Sequence, residues 1–175
     1  MTFKDRFYQD LLDNGILYIE GRITEETVEL VNRAVLWFEA TGKEGRIYFN
    51  SRGGSMAAAM DCYDRIKSAS VKVTGIVAGS AFSSAAVIFL ACHRRLIQQH
   101  SELLYHNANI GNPACSQEEA ERFKKRCNAF TRKVLHDRMK GQLETIDNLC
   151  DCGEAISAQR ALELGIVDEI ITTLP

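Results

Sequence analysis

Apolar positions change period several times along this chain, and each change marks a new element. Ile16–Ile23 (ILYIEGRI) predicts a strand that ends in a turn, and behind it Val28, Val31, Ala34, Val35 and Phe38 recur at helical spacing, predicting a helix over 24–41. Thr24, followed by Glu25 and Glu26, suits the positive end of that helix. Arg46–Asn50 (RIYFN) predicts a second strand, SRGGS a turn, 56–69 a second helix, and Val71–Ala78 (VKVTGIVA) a β-branched third strand. Strand, helix, strand, helix is the βαβ rhythm of a mostly parallel sheet.

Ala81–Cys92 is apolar nearly all round, which predicts a central helix, and short strands are expected at Arg95–Gln99 and Leu103–His106. The segment 117–139 differs from these. It is charged and helical in pattern, with a thin apolar stripe at Ala120, Phe123, Cys127, Phe130 and Val134. Such a helix either lies on the surface or packs against a partner subunit. Ser157 is placed to cap a last helix over 157–164, Gly165 to stop it, and IVDEII to form a final strand.

Composition narrows the classes. The chain has 175 residues, 46% apolar and 25% charged, which fits one domain spanning 1–175 with a real core. Its 21 basic and 23 acidic residues are scattered, giving a formal charge of −2 and no basic stripe, so neither nucleic acid nor a membrane surface is an expected partner. The first residues have no secretory pattern and the longest apolar stretch, Val87–Cys92, is too short to span a bilayer, so a cytoplasmic location is expected. The six cysteines are expected to be reduced, with Cys150-Asp-Cys152 in an ordinary loop; with no second Cys/His pair at zinc spacing, no metal or other cofactor is expected.

The chemistry concentrates in two glycine-containing turns. Asn50-Ser-Arg-Gly-Gly-Ser55 and Gly79–Ser84 each lead from a strand into a helix, at the carboxyl ends of parallel strands where sites form. If the turns adjoin, the amides of Gly54 and Ser84 could face a common point, as the oxyanion of an acyl-transfer intermediate requires. Ser83 would stand beside that point as a nucleophile, and a hydroxyl needs a base. His106, at the end of the LLYH strand, is the best placed; His93, His100 and His136 lie in polar turns or on the charged helix. The bland alternative is that small residues pack closely at a helix start, GG is only a turn, and His106 is a structural histidine.

With these residues in view, the sequence resembles the ClpP family of serine peptidases within the ClpP/crotonase superfamily, over roughly 15–171. The family's NSPGGS turn appears as NSRGGS (50–55), its GxAAS turn as GSAFS (79–83), with Ser83 29 residues after Gly54, and its S-x-x-x-x-H segment as SELLYH (101–106). SAQRALELGIVDEI (157–170) is similar to its SAxEAxxxGxVDxI. The resemblance implies an α/β fold of the ClpP/crotonase ββα-spiral type with a protruding handle helix, the handle segment falling at about 107–140. It implies Ser83 as nucleophile, His106 as general base, and the Gly54 and Ser84 amides as oxyanion hole. It also implies peptide or unfolded-protein substrates and a homo-oligomer of stacked rings.

The chain departs from that pattern in three places. Where the family carries its triad aspartate, four residues before the serine of the SA motif, this chain has Gly153; Asp151 is the expected substitute, ahead of Glu154. Arg52 replaces the proline of NSPGGS, removing a φ constraint and placing a cation near the cleft. The N-terminal segment offers no long axial loop of the kind that meets an AAA+ unfoldase, which leaves a stand-alone enzyme open. Two other functions stay in play: a catalytically silent ring subunit or scaffold, and an acyl-CoA enzyme of the crotonase branch, whose members run longer and place carboxylates near the hole.

Overall fold

The computed structural model describes residues 3–109, 115–139 and 143–175. Strand β1 (Ile16–Ile23) leads into helix α2 (Glu25–Thr41), which follows a short N-terminal helix α1 (Phe3–Asp13) that the sequence pattern did not assign. Thr24 caps α2 through a box with Thr27, and Gly42 closes it at φ 67°. Next come β2 (Gly45–Gly54), α3 (Met56–Lys67), β3 (Val73–Phe82), α4 (Ser84–Leu90) and β4 (Arg94–Gln98). The rest is β5 (Glu102–Leu104), α5 (Gln117–His136), α6 (Leu143–Cys152), β6 (Ala155–Ser157), α7 (Ala158–Glu163) and β7 (Glu169–Ile171).

The strands form one sheet in the order β1-β2-β3-β4-β7, with β5 on β3 and β6 on β5. Every pairing among the described residues is parallel except β5–β6. Period-2 alternation sorts the strands' side chains by face. Leu17, Ile19, Ile47, Phe49 and Val77 join Val31, Val35, Phe38, Cys62, Ile66 and Phe89 from the helices in one core. Their alternates Tyr18, Tyr48, Ile76 and Leu96 form a smaller cluster on the other face, where Tyr18 and Tyr48 stack at 4.8 Å. Val31, Val35 and Phe38 are wholly buried; at roughly 1.5–3 kcal/mol for each such side chain, this face of α2 fixes the helix on the sheet.

Two expected turns are strand instead. SRGG continues β2, because a register shift between Gly21 and Arg22 lets β1 go on pairing out to Ile23↔Gly54. Gly79–Phe82 continues β3, because β5 takes over there as its partner. The helix expected from Ala81 therefore starts at Ser84. The segment around Cys150, expected as a loop, is the end of α6. At the C-terminal motif, Asp168 accepts from the Arg95 backbone amide and from its guanidinium (2.8 and 2.6 Å). Burial pushes the Asp168 carboxyl up, but the bonds and charge of Arg95 outweigh it and hold it below its ordinary value. That pair locks the α7–β7 turn onto β4.

The C-terminal half of α5 is seated on the domain through Cys127, Thr131, Val134 and Leu135, whereas most of its first half is exposed. Of the expected handle segment 107–140, residues 110–114 and 140 lie outside the described residues. No described helix is long and apolar enough to cross a membrane.

Candidate active site

The site is built where β3 changes partners. Its first half pairs with β4 (Thr74–Val77) and its last three residues with β5 (Ser80↔Glu102 to Phe82↔Leu104). Gly79 sits at the switch with φ +117°, where a Cβ would come within 2.6 Å of the Asn50 carboxamide oxygen, so only glycine fits. The buried Ser101 hydroxyl receives the Gly79 amide at 2.8 Å, which ties the switch to the segment that leads into β5.

Ser83 follows immediately. Among described non-glycine residues it is the one with positive φ (φ 57°, ψ −125°), in a conformation that glycine usually takes. Holding it there costs about 1–3 kcal/mol. Such a strained turn between strand and helix pushes a serine hydroxyl out of the chain path. The Ser83 amide is used, donating to the Leu104 carbonyl at 2.7 Å. Ser84 is the first residue of α4, and amides at that position have no partner inside their helix.

The two glycine turns do meet. Gly53, at φ +92°, lies so close that a Cβ there would stand 2.8 Å from Ser83 Cβ and 3.1 Å from the Ser84 nitrogen. The Gly53 amide is also used, by the buried Ser51 hydroxyl (3.1 Å), which itself donates to the Gly21 carbonyl. The amides of Gly53 and Ser83 are thus occupied; next along come exposed Gly54, paired with Ile23 at the end of β2, and Ser84, which opens α4. An open groove of about 480 Å³, lined by Arg22, Asn50, Arg52, Gly54 and Ser80 among others, runs beside them.

His106 enters from β5, two residues beyond the Leu104 carbonyl that holds Ser83. Its Nδ1 lies 2.6 Å from the Asn107 carbonyl oxygen. Asp151 binds one residue further on: its Oδ1 accepts from Asn107 Nδ2 (2.7 Å) and from Arg132 (2.9 Å). Gly153 stands against His106 instead, and a Cβ there would be 3.4 Å from His106 Cβ. Glu154 is exposed and lines a separate groove with Cys152 and Arg160. The part sequence reasoning missed is Asn107 and Arg132. The adjacency of Asn107 to His106 was a visible signal; Arg132, 25 residues on, gave none.

All six cysteines are free. Burial pushes the thiols of Cys62 and Cys92 up to about 12, and raises those of Cys127 and Cys150. These four are poor nucleophiles as a result, while Cys115 and Cys152 are exposed. No metal-holding cluster of His, Cys, Asp and Glu occurs among the described residues.

The architecture is a mixed α/β fold with a mostly parallel sheet, of the ClpP/crotonase type. The sequence signature of the family described as Clp protease matches residues 2–174, and the chain belongs to that family. It is similar to the ATP-dependent Clp protease proteolytic subunit of Ligilactobacillus salivarius (strain UCC118), 28% identical over 171 residues, covering 94% of this chain and 86% of the relative.

Proposed function

We propose that this chain is a serine endopeptidase, acting inside a ring-shaped homo-oligomer on peptides or unfolded proteins. Ser83 Oγ attacks the scissile carbonyl while His106 Nε2 takes its proton; the C–N bond then breaks and His106 returns the proton to the leaving amine. Water, deprotonated by the same imidazole, releases the acyl group from Ser83. The amides of Gly54 and Ser84 hold the oxyanion at each stage. The observation that carries this reading is the strained Ser83 turn pressed against Gly53, with the neighbouring amides already bonded. On the same reading, residues 1–175 act as a single domain whose segment 107–140 is the handle between rings.

A fluorophosphonate probe tests it. Labelling of the wild type, abolished in Ser83→Ala and in His106→Ala with an unchanged mass in solution, is the expected result. Peptidase turnover should fall by roughly 10⁴-fold or more in either variant. Gly153 at the acid's place favours one second reading, a silent ring subunit. Ring-sized mass with no labelling under any condition would establish it. The relative is named ATP-dependent; an unfoldase partner and stand-alone action part on whether a folded substrate is degraded only when an AAA+ ATPase is supplied.

A further inference from the structure

The geometry points to Asn107 and Arg132 as positioning residues for His106: a backbone carbonyl, fixed in place by two helices, orients the imidazole where a triad carboxylate is missing. This rests on the peptidase reading above. A carbonyl oxygen can only accept, so at 2.6 Å from the Asn107 oxygen, Nδ1 must carry the ring hydrogen and Nε2 keeps its lone pair. That tautomer is the one a general base next to Ser83 needs.

A carbonyl in a loop orients nothing unless the loop is held, and here it is held at every polar atom of Asn107. Its backbone amide donates to the Cys150 carbonyl at 3.0 Å, and its side-chain Nδ2 donates to Asp151 at 2.7 Å. Arg132 donates to its Oδ1 at 2.8 Å. The next amide, Ala108, donates to Asn128 Oδ1 at 2.7 Å. Asn128 and Arg132 are four residues apart and share one face of α5, while Cys150 and Asp151 come from α6. The amide orientation of Asn107 agrees with the charges, its nitrogen toward a carboxylate and its oxygen toward a guanidinium.

Arg132 is the hub. Besides Asn107 it binds Asp147 (2.6 Å) and Asp151 (2.9 Å), so its planar fork joins α5, α6 and the His106 loop. The two carboxylates are 55% and 59% exposed, so these ion pairs contribute little to stability. Removing Arg132 should register at the imidazole, not in the melting temperature. A neutral carbonyl also stabilises the imidazolium less than a carboxylate would, so turnover is slow without being lost.

The test uses the full-length oligomer. Long-range ¹H–¹⁵N NMR above the histidine titration range reads the His106 tautomer, assigned by loss of its signals in His106→Gln; kcat and KM are measured in parallel on a peptide. In the wild type His106 should be the Nδ1–H tautomer. Arg132→Ala should give a mixture of tautomers, with kcat down roughly tenfold and KM and melting temperature unchanged. Adding Gly153→Asp to Arg132→Ala should restore both, because a carboxylate then stands beside the ring. An Nε2–H tautomer in the wild type, or an Arg132→Ala variant with unchanged spectrum and kcat, would overturn the proposal. If Arg132→Ala does not fold, Asp151→Ala, at an exposed position, carries the same comparison. If the wild type is not labelled by fluorophosphonate, the peptidase reading falls while the imidazole spectrum still decides this one.

Discussion

At the β3–α4 turn, position is set by backbone: Gly79, Gly53 and Ser83 take positive φ, and each glycine sits where a Cβ would collide. At the loop after β5, position is set by side chains, with Arg132, Asn128 and Asp151 reaching in from two helices. The first arrangement is short-range and intolerant of any added atom, with Gly53 buried and Ser83 half-buried. The second is half-exposed, assembled from distant residues, and made of bonds individually worth about 1 kcal/mol or less. Substitutions should therefore break the serine side by unfolding it and the histidine side by misaligning it.

Gly53→Ala is the sharpest way to break that contrast. Its Cβ would lie 2.6 Å from the Phe82 carbonyl oxygen at a φ that alanine disfavours, so a loss of about 2–4 kcal/mol is expected in urea unfolding, together with loss of probe labelling. If Gly53→Ala is as stable as the wild type, the backbone account of this turn is wrong. Gly153→Asp works on the other side: at φ +61° it costs about 1 kcal/mol of stability but gives His106 a carboxylate. Turnover should rise about three- to tenfold, and an unchanged kcat would mean the ring is already fully held.

Next in size is a comparison within one position. Ser83→Gly and Ser83→Ala both remove the hydroxyl, but only glycine relaxes φ 57°; the glycine variant should be the more stable by about 1 kcal/mol in thermal melts. Equal stabilities would show that the turn holds no strain. The smallest effect lies away from both regions. The Arg65 guanidinium and the Ser70 amide hold the Glu39 carboxyl well below its usual value, at about 2. A depressed folded-state value means stability present above the unfolded value of about 4.3 and lost as pH falls toward about 2. Glu39→Gln should thus cost roughly 0.5 kcal/mol at neutral pH, and the gap to wild type should close across that window in acid titration.

Much of the sheet was legible because its signals are local. Ile16–Ile23 and the helix behind Thr24 came directly from period and capping, as did Ser157, whose hydroxyl receives the Arg160 amide, and Gly165 at φ 74°. What was missed depends on pairing. SRGG and Gly79–Phe82 read as turns from their glycines, and only the extension of β1 and the arrival of β5 make them strand. The helix ending at Cys152 carries its own signal, Ile146, Leu149 and Cys150 at helical spacing, which the loop reading of Cys150-Asp-Cys152 passes over, and with it the reason Asp151 faces Asn107 and Gly153 faces His106. Ser83, His106, Gly54 and Ser84 could be named as candidates because glycine turns and the lone strand-end histidine are visible in one dimension. Arg132 could not, since its partners are scattered over three segments.

If Ser83 is the nucleophile, its left-handed geometry also bears on when the chain becomes reactive. A relaxed polypeptide leaves that region of φ and ψ almost empty, so the half-buried Ser83 is held there only after β5 has docked and Leu104 has captured its amide. On the peptidase reading a chain still folding would be harmless to its neighbours, and the finished fold would act as its own safety catch.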